Sequence, residues 1–235
     1  MERTVSLRVK DSGGNDTVQS DFRYDLEWAR HAEVSESFQD TAAARPAAGS
    51  AIAAQMTTKN DRLQFRDSGP GNGGEMRGAF SHIYGRFFAR GLLEWHFGVE
   101  NLLPITGPNP MSTRIGVTTS MKPGKTGNMP DWLGTHAVEY VLGEAKGSYK
   151  GSAKSWLTMT PPHKCVEASL EQINNCQLVD STGTVITSDR WAVANLWATD
   201  ENKRPPVMIA WDPPGDGHKV PEDQWPQHEK EMRLR

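Results

Sequence analysis

Cysteine is nearly absent. The 235 residues contain two, Cys165 and Cys176, which excludes a disulfide scaffold and suits a reducing compartment. No run approaches the roughly 18 apolar residues of a membrane span, and the opening MERTVSLRVKDSGG has no apolar leader segment. The expectation is a soluble cytoplasmic chain with no membrane partner, export by a leader-independent route staying open. No internal repeat is visible. Net charge is small, −3, so global electrostatics do not announce a nucleic-acid binder. The charge is uneven, however. Between Met111 and Lys164 seven Lys or Arg stand against three acids, a net of +4. A basic stretch on a weakly acidic chain suits a polyanion; a solvated lysine face explains the charge equally well.

What is present sorts into three parts. Residues 1–70 hold a strand candidate, TVSLRV, then a helix candidate, DFRYDLEWARHAEVSESF, then an Ala/Ser/Thr-rich stretch that reads as a linker or loosely held helix. They are expected to form an N-terminal extension or arm. Residues 71–214 are expected to form an α/β domain with a mixed central sheet. Its first helix starts near Met76 and carries Phe80, Ile83, Phe87 and Trp95 at helical spacing, with Gly98 as its stop. STRIGVTTSM, DWLG and AVEYVLGEAKG read as strands, the last two paired. TPPHKCVEASLEQINNCQLV reads as a helix opening on proline, and RWAVANLWAT and PPVMIAWDPP as two further strands. Residues 215–235 read as a polar, mobile C-terminal tail.

One stretch carries chemistry. The apolar strand AVEYVLGEAKG ends in Glu144-Ala145-Lys146. Side chains alternate along a strand, so Glu144 and Lys146 share a face and Ala145 lies on the other. Asp131 follows Pro130 at the start of the preceding strand. If the two segments pair, Asp131 and Glu144 converge at one rim of the sheet. Two carboxylates and the Ala145 carbonyl are hard oxygen donors of the kind Mg²⁺ or Mn²⁺ takes. Lys146 is then placed to hold a water or to stabilise charge on a phosphate. A surface hairpin with a Glu–Lys pair is the plainer alternative.

Pro130-Asp131 and Glu144-Ala145-Lys146, the latter within GEAKGS at the end of an apolar strand, resemble the motif of the PD-(D/E)xK nuclease superfamily. The resemblance covers residues 111–178 well and 76–212 in outline. It implies a restriction-endonuclease-like αβββαβ core with a mixed sheet flanked by helices. It also implies Mg²⁺-dependent phosphodiester hydrolysis, most simply of DNA, with Asp131 and Glu144 as metal ligands and Lys146 as the catalytic lysine. Members often carry another acid on the first helix; Glu94 is the candidate, against a solvated helix charge, and Glu75 fits a first-turn position. Some members place Gln and, four residues on, Tyr in the following helix. Gln172 fits the first position, while Cys176 stands at the second. Lys122, Lys125, Lys150 and Lys154 are candidate contacts to nucleic acid.

Other motifs carry less. GKT at 124–126 lacks the spacing and the helix of a P-loop. GPGNGG lacks a preceding strand. His163, Cys165 and Cys176 lack a fourth zinc ligand. Trp132 and Trp156 flank the site and read as packing rather than base stacking. The leading expectation is therefore a metal-dependent nuclease, with a bacterial defence or toxin effector as one setting. Its rival is a catalytically silent module of the same fold that binds nucleic acid or a protein partner, residues 1–70 docking the partner. Either reading is compatible with an oligomer.

Overall fold

A computed structural model describes residues 1–37, 52–71, 73–105, 116–159, 163–215, 217 and 219–233. In chain order the elements are β1 (Glu2–Lys10), β2 (Asp16–Asp25), α1 (Leu26–Ser37), β3 (Gln64–Phe65), α2 (Gly74–Trp95), β4 (Glu100–Pro104), β5 (Thr118–Met121), β6 (Trp132–His136) and β7 (Glu139–Ser148). There follow α3 (Ala153–Thr158), α4 (Lys164–Asn174), β8 (Cys176–Val179), β9 (Val185–Ile186), β10 (Ser188–Leu196), β11 (Ala198–Thr199), β12 (Val207–Trp211) and α5 (Trp225–Arg233). The fold is mixed α/β. A seven-stranded central sheet runs β2-β1-β12-β10-β7-β6-β4. β1 is parallel to β12 and β10 to β7, and the other neighbours are antiparallel.

Helices cover both faces because the inner strands are apolar on both. β10 and β12 are buried almost throughout, the pattern of strands sandwiched between layers. Val141, Ala145 and Val193 join Tyr84, Phe88 and Leu92 of α2 and Leu26 and Ala29 of α1 in one core. Ala192, Ala194 and Ile209, one residue out of phase, join Val166 and Ile173 of α4 in another. Period-two alternation thus assigns α1 and α2 to one face and α4 to the other.

Three expectations change. Residues 1–70 are not an appended arm: β1 sits inside the central sheet against β12, and α1 packs on α2. The helix expected from Asp21 starts only at Leu26, since DSGGND closes a hairpin and residues 16–25 pair with β1. Asp11 fixes that turn by accepting the Asn15 N–H at 2.9 Å. The C-terminal tail is not free, because α5 buries Trp225 and Met232 against Tyr140.

Two strands are also placed differently. Of STRIGVTTSM, 116–121 lie within the described residues and 112–115 outside them; Thr118–Met121 pairs with β8 in a separate three-stranded sheet. The third strand of the β4-β6-β7 meander is Glu100–Pro104, which the sequence reading passes over. Pro161 and Pro162, expected at a helix start, lie outside the described residues; His163 caps α4, its ring accepting the Cys165 N–H. No helix among the described residues is long and apolar enough to cross a membrane.

Candidate metal and hydrolytic site

The β6–β7 hairpin sets the geometry. Its register pairs Trp132 with Gly143. One step further places Asp131 beside Glu144, and a second places Pro130 opposite Ala145. Proline has no N–H, so the strand ladder fails there and side chains replace it. Asp131 Oδ2 accepts the Ala145 N–H at 2.8 Å, and Glu144 Oε2 accepts the Asp131 N–H at 3.1 Å. Each acid caps the other's strand.

Glu144 and Lys146 point to the α4 face, where Gln172 meets them. Lys146 Nζ is ion-paired with Glu144 Oε1 and donates to Gln172 Oε1 at 3.3 Å. Gln172 Nε2 donates to Glu144 Oε2 at 2.8 Å and to the Met129 carbonyl at 2.7 Å. Four residues from three segments thus converge within hydrogen-bond reach. Glu144 is 0% exposed and Asp131 8%. Burial first, and the Asp131 charge second, push the Glu144 carboxyl up to about 8, against the pull of Lys146. Such displacement is common where a carboxylate is kept for chemistry rather than stability.

Behind Asp131 lies an ionic ladder that sequence reasoning missed. Arg86 of α2 is ion-paired with Asp131 and also with Glu36 of α1, the latter at 2.6 Å. Glu36 further accepts from Arg90 Nη1 at 2.6 Å and Trp132 Nε1 at 2.7 Å. The Arg86 guanidinium lies 5.0 Å from the Trp132 ring centroid. Burial pushes the Glu36 carboxyl up, but the two arginines outweigh it and hold the group below its ordinary value. Arg86, Arg90 and Glu94 recur every four residues along α2. A signal was therefore available: two arginines on one helical face need an acidic partner from another segment when that face is buried.

Glu94 is not one of the converging residues. It takes the outer end of the ladder, bonded to Arg90 at 2.7 Å, about 12 Å along the helix from Arg86. Burial raises its carboxyl despite Arg90. Glu75 is an exposed first-turn residue. Lys125, Lys150 and Lys154 are exposed and Lys122 half-buried. They lie on the loop before Asp131 and on the chain after Lys146, flanking the cluster in sequence. Trp132 and Trp156 are fully buried, as packing requires. His163 stacks on Trp156, and burial pushes both cysteine thiols up to about 11.

The donor set fits a hard divalent cation. An ionised carboxylate offers about four lone-pair sites; Asp131 has two bonds from protein donors and Glu144 three. Unspent oxygen capacity remains on both, beside the Ala145 carbonyl. The set is two carboxylates and a carbonyl; among the described residues no three His, Cys, Asp or Glu side chains gather as a metal cluster. A scan against protein-family models, a search of curated proteins and a search of solved structures each found no match.

Proposed function

We propose that the chain is a divalent-cation-dependent nuclease of the PD-(D/E)xK type, hydrolysing phosphodiester bonds, with DNA the favoured substrate. The observation that carries this reading is the meeting of Asp131, Glu144 and Lys146 at the end of two paired strands, where Pro130 has no N–H for the ladder. With β5, α3, β8 and β9 set aside as elements outside the central sheet and its main helices, the order α2-β4-β6-β7-α4-β10, helix, three strands, helix, strand, supports the αβββαβ core that the resemblance implies. Asp131, Glu144 and the Ala145 carbonyl would hold Mg²⁺ or Mn²⁺. Such an ion supplies Lewis acidity and a more acidic water.

The chain's own groups do the rest. Lys146 lies beside the carboxylates, where a scissile phosphate brings negative charge, and orients a water toward phosphorus. Gln172 locks the Glu144 carboxylate with one N–H while its oxygen steadies Lys146. Arg86 aims Asp131 from behind and is itself aimed by Glu36. Both are positioning residues.

Incubation of plasmid DNA, single-stranded oligonucleotide and RNA with the protein in Mg²⁺, and then in EDTA, tests the reading. Cleavage that EDTA stops and Lys146→Ala abolishes is expected. Equal behaviour of wild type and Lys146→Ala would end it. One observation favours the silent-module reading instead: each carboxylate already has a cationic partner, Arg86 or Lys146. That reading predicts nucleic-acid binding without hydrolysis, indifferent to Asp131→Ala.

A further inference from the structure

A cleft of about 200 Å³ opens beside the cluster, on the α4 side of the sheet. One wall is a single face of α4 and its cap, Ala168, Glu171, Gln172 and Asn175, the spacing that lines up side chains on a helix. The facing wall is the loop through Thr126 and Asn128, and Met121 contributes the apolar part. Gln172 belongs to both places: it lines the cleft and bonds Glu144 and Lys146. The loop is anchored at both ends to the same helix. Lys122 N–H donates to the Asn175 carbonyl at 2.8 Å, and the Met129 carbonyl accepts from Gln172 at 2.7 Å. Gly124 and Gly127 between them take positive φ, which the tight return requires. The cleft is thus built before any ligand arrives, and ordering costs on binding are small.

Its chemistry selects an occupant. Drug-sized sites span about 300–1,000 Å³, so this cleft takes one ring system rather than a whole nucleotide. The lining is neutral amide and hydroxyl with one carboxylate, Glu171. A carboxylate repels a phosphate, but it accepts hydrogen bonds from the exocyclic amino groups of bases. The exposed Lys125, on the loop outside, supplies the positive charge a neighbouring phosphate needs. A base pair is too large for the cleft, and its Watson–Crick edges are already spent on each other.

We propose that this cleft binds one unpaired, amino-bearing nucleobase of the strand whose phosphate lies at Asp131, Glu144 and Lys146. The proposal rests on the nuclease reading and sharpens it: the substrate is single-stranded, frayed or flipped at that position, and adenine or cytosine there is preferred over thymine.

Fluorescence-anisotropy titrations of the full chain test it, in EDTA to halt hydrolysis, with labelled oligo-dA, oligo-dC, oligo-dT and a duplex of equal length. Oligo-dA and oligo-dC should bind about fivefold or more tightly than oligo-dT and the duplex at one salt concentration. Glu171→Ala, at an exposed position, should reduce that preference below about twofold while oligo-dT binding holds. Ala168→Leu, which fills the cleft without removing a polar group, should do the same. Equal affinities in the wild type, or a preference that survives both variants, would overturn the proposal. Mg²⁺-dependent cleavage with no base preference would sink the cleft and leave the nuclease standing. Selective binding with no cleavage in Mg²⁺ would sink the nuclease and leave the cleft.

Discussion

The two faces of β7 follow opposite rules. Toward α2 the strand presents Gly143, Ala145 and Gly147, and the helix comes so close that backbone meets backbone. A Cβ placed on Gly85 of α2 would lie 2.9 Å from the Gly147 nitrogen, and one placed on Gly147 would strike the Ser81 carbonyl. Toward α4 the same strand presents Glu144 and Lys146, bridged by Gln172, with a cleft alongside. Alternation puts dense apolar packing and a polar site one residue apart. The close-packed face keeps the strand rigid, and that rigidity holds the charged face in register. GEAKG therefore reads as two interleaved patterns, small residues for one neighbour and charged residues for the other.

Several changes would break or sharpen this contrast. The largest effect is expected from Gly147→Val. The added side chain meets backbone, so the helix must retreat, and a loss of about 3 kcal/mol or more, read by denaturant unfolding, is expected. Arg86→Met should follow. It strips the cationic partner from Asp131 and one from Glu36, and a half-broken buried pair costs about 3 kcal/mol. Trp132 fluorescence should shift with it, because the guanidinium leaves the indole face. A smaller effect of opposite sign is expected at Glu33, one helical turn before Glu36. Glu36 accepts four hydrogen bonds from three residues, whereas Glu33 Oε2 is buried with no partner among the described residues. Burial pushes its carboxyl from 4.5 to about 7, against Arg30. The folded state holds this proton more tightly than the unfolded one. Stability is therefore lost as pH rises from about 4.5 through about 7. Glu33→Gln should raise stability by about 2 kcal/mol at pH 8 and by little at pH 5, as thermal unfolding at the two pH values would report. The smallest effect is expected from Ile83→Ala on the solvent side of α2, within about 0.5 kcal/mol.

That last residue shows where the sequence stops being legible. Phe80, Ile83, Phe87 and Trp95 read as the buried stripe of α2, yet Ile83 is 41% and Trp95 55% exposed. The helix is apolar around much of its girth, and the face that docks is fixed by its smallest residue. Gly85 against Gly147 sets the approach, and Tyr84, Phe88 and Leu92 follow it inward. The β6–β7 hairpin was legible because a strong alternating pattern flanks a short turn, and its register alone brings Asp131 to Glu144. α4 and Gln172 were legible from helical spacing. The spacing of Arg86 and Arg90 was readable, but their partner was not: 50 residues separate Glu36 from Arg86, and without knowing that the face is buried an ordinary charged helix surface looks the same in one dimension. The role of residues 1–37 was hidden for a related reason: β1 pairs with β12, about two hundred positions away, and a parallel pairing leaves no local turn to announce it.

The central claim is that Asp131 and Glu144 form a cation site beside Lys146. Calorimetric titration of Mn²⁺ into the wild type and into Asp131→Asn tests it most directly, because it needs no substrate. One ion taken up by the wild type and none by the variant is the predicted result. No uptake by the wild type, or the same uptake by both, would contradict it.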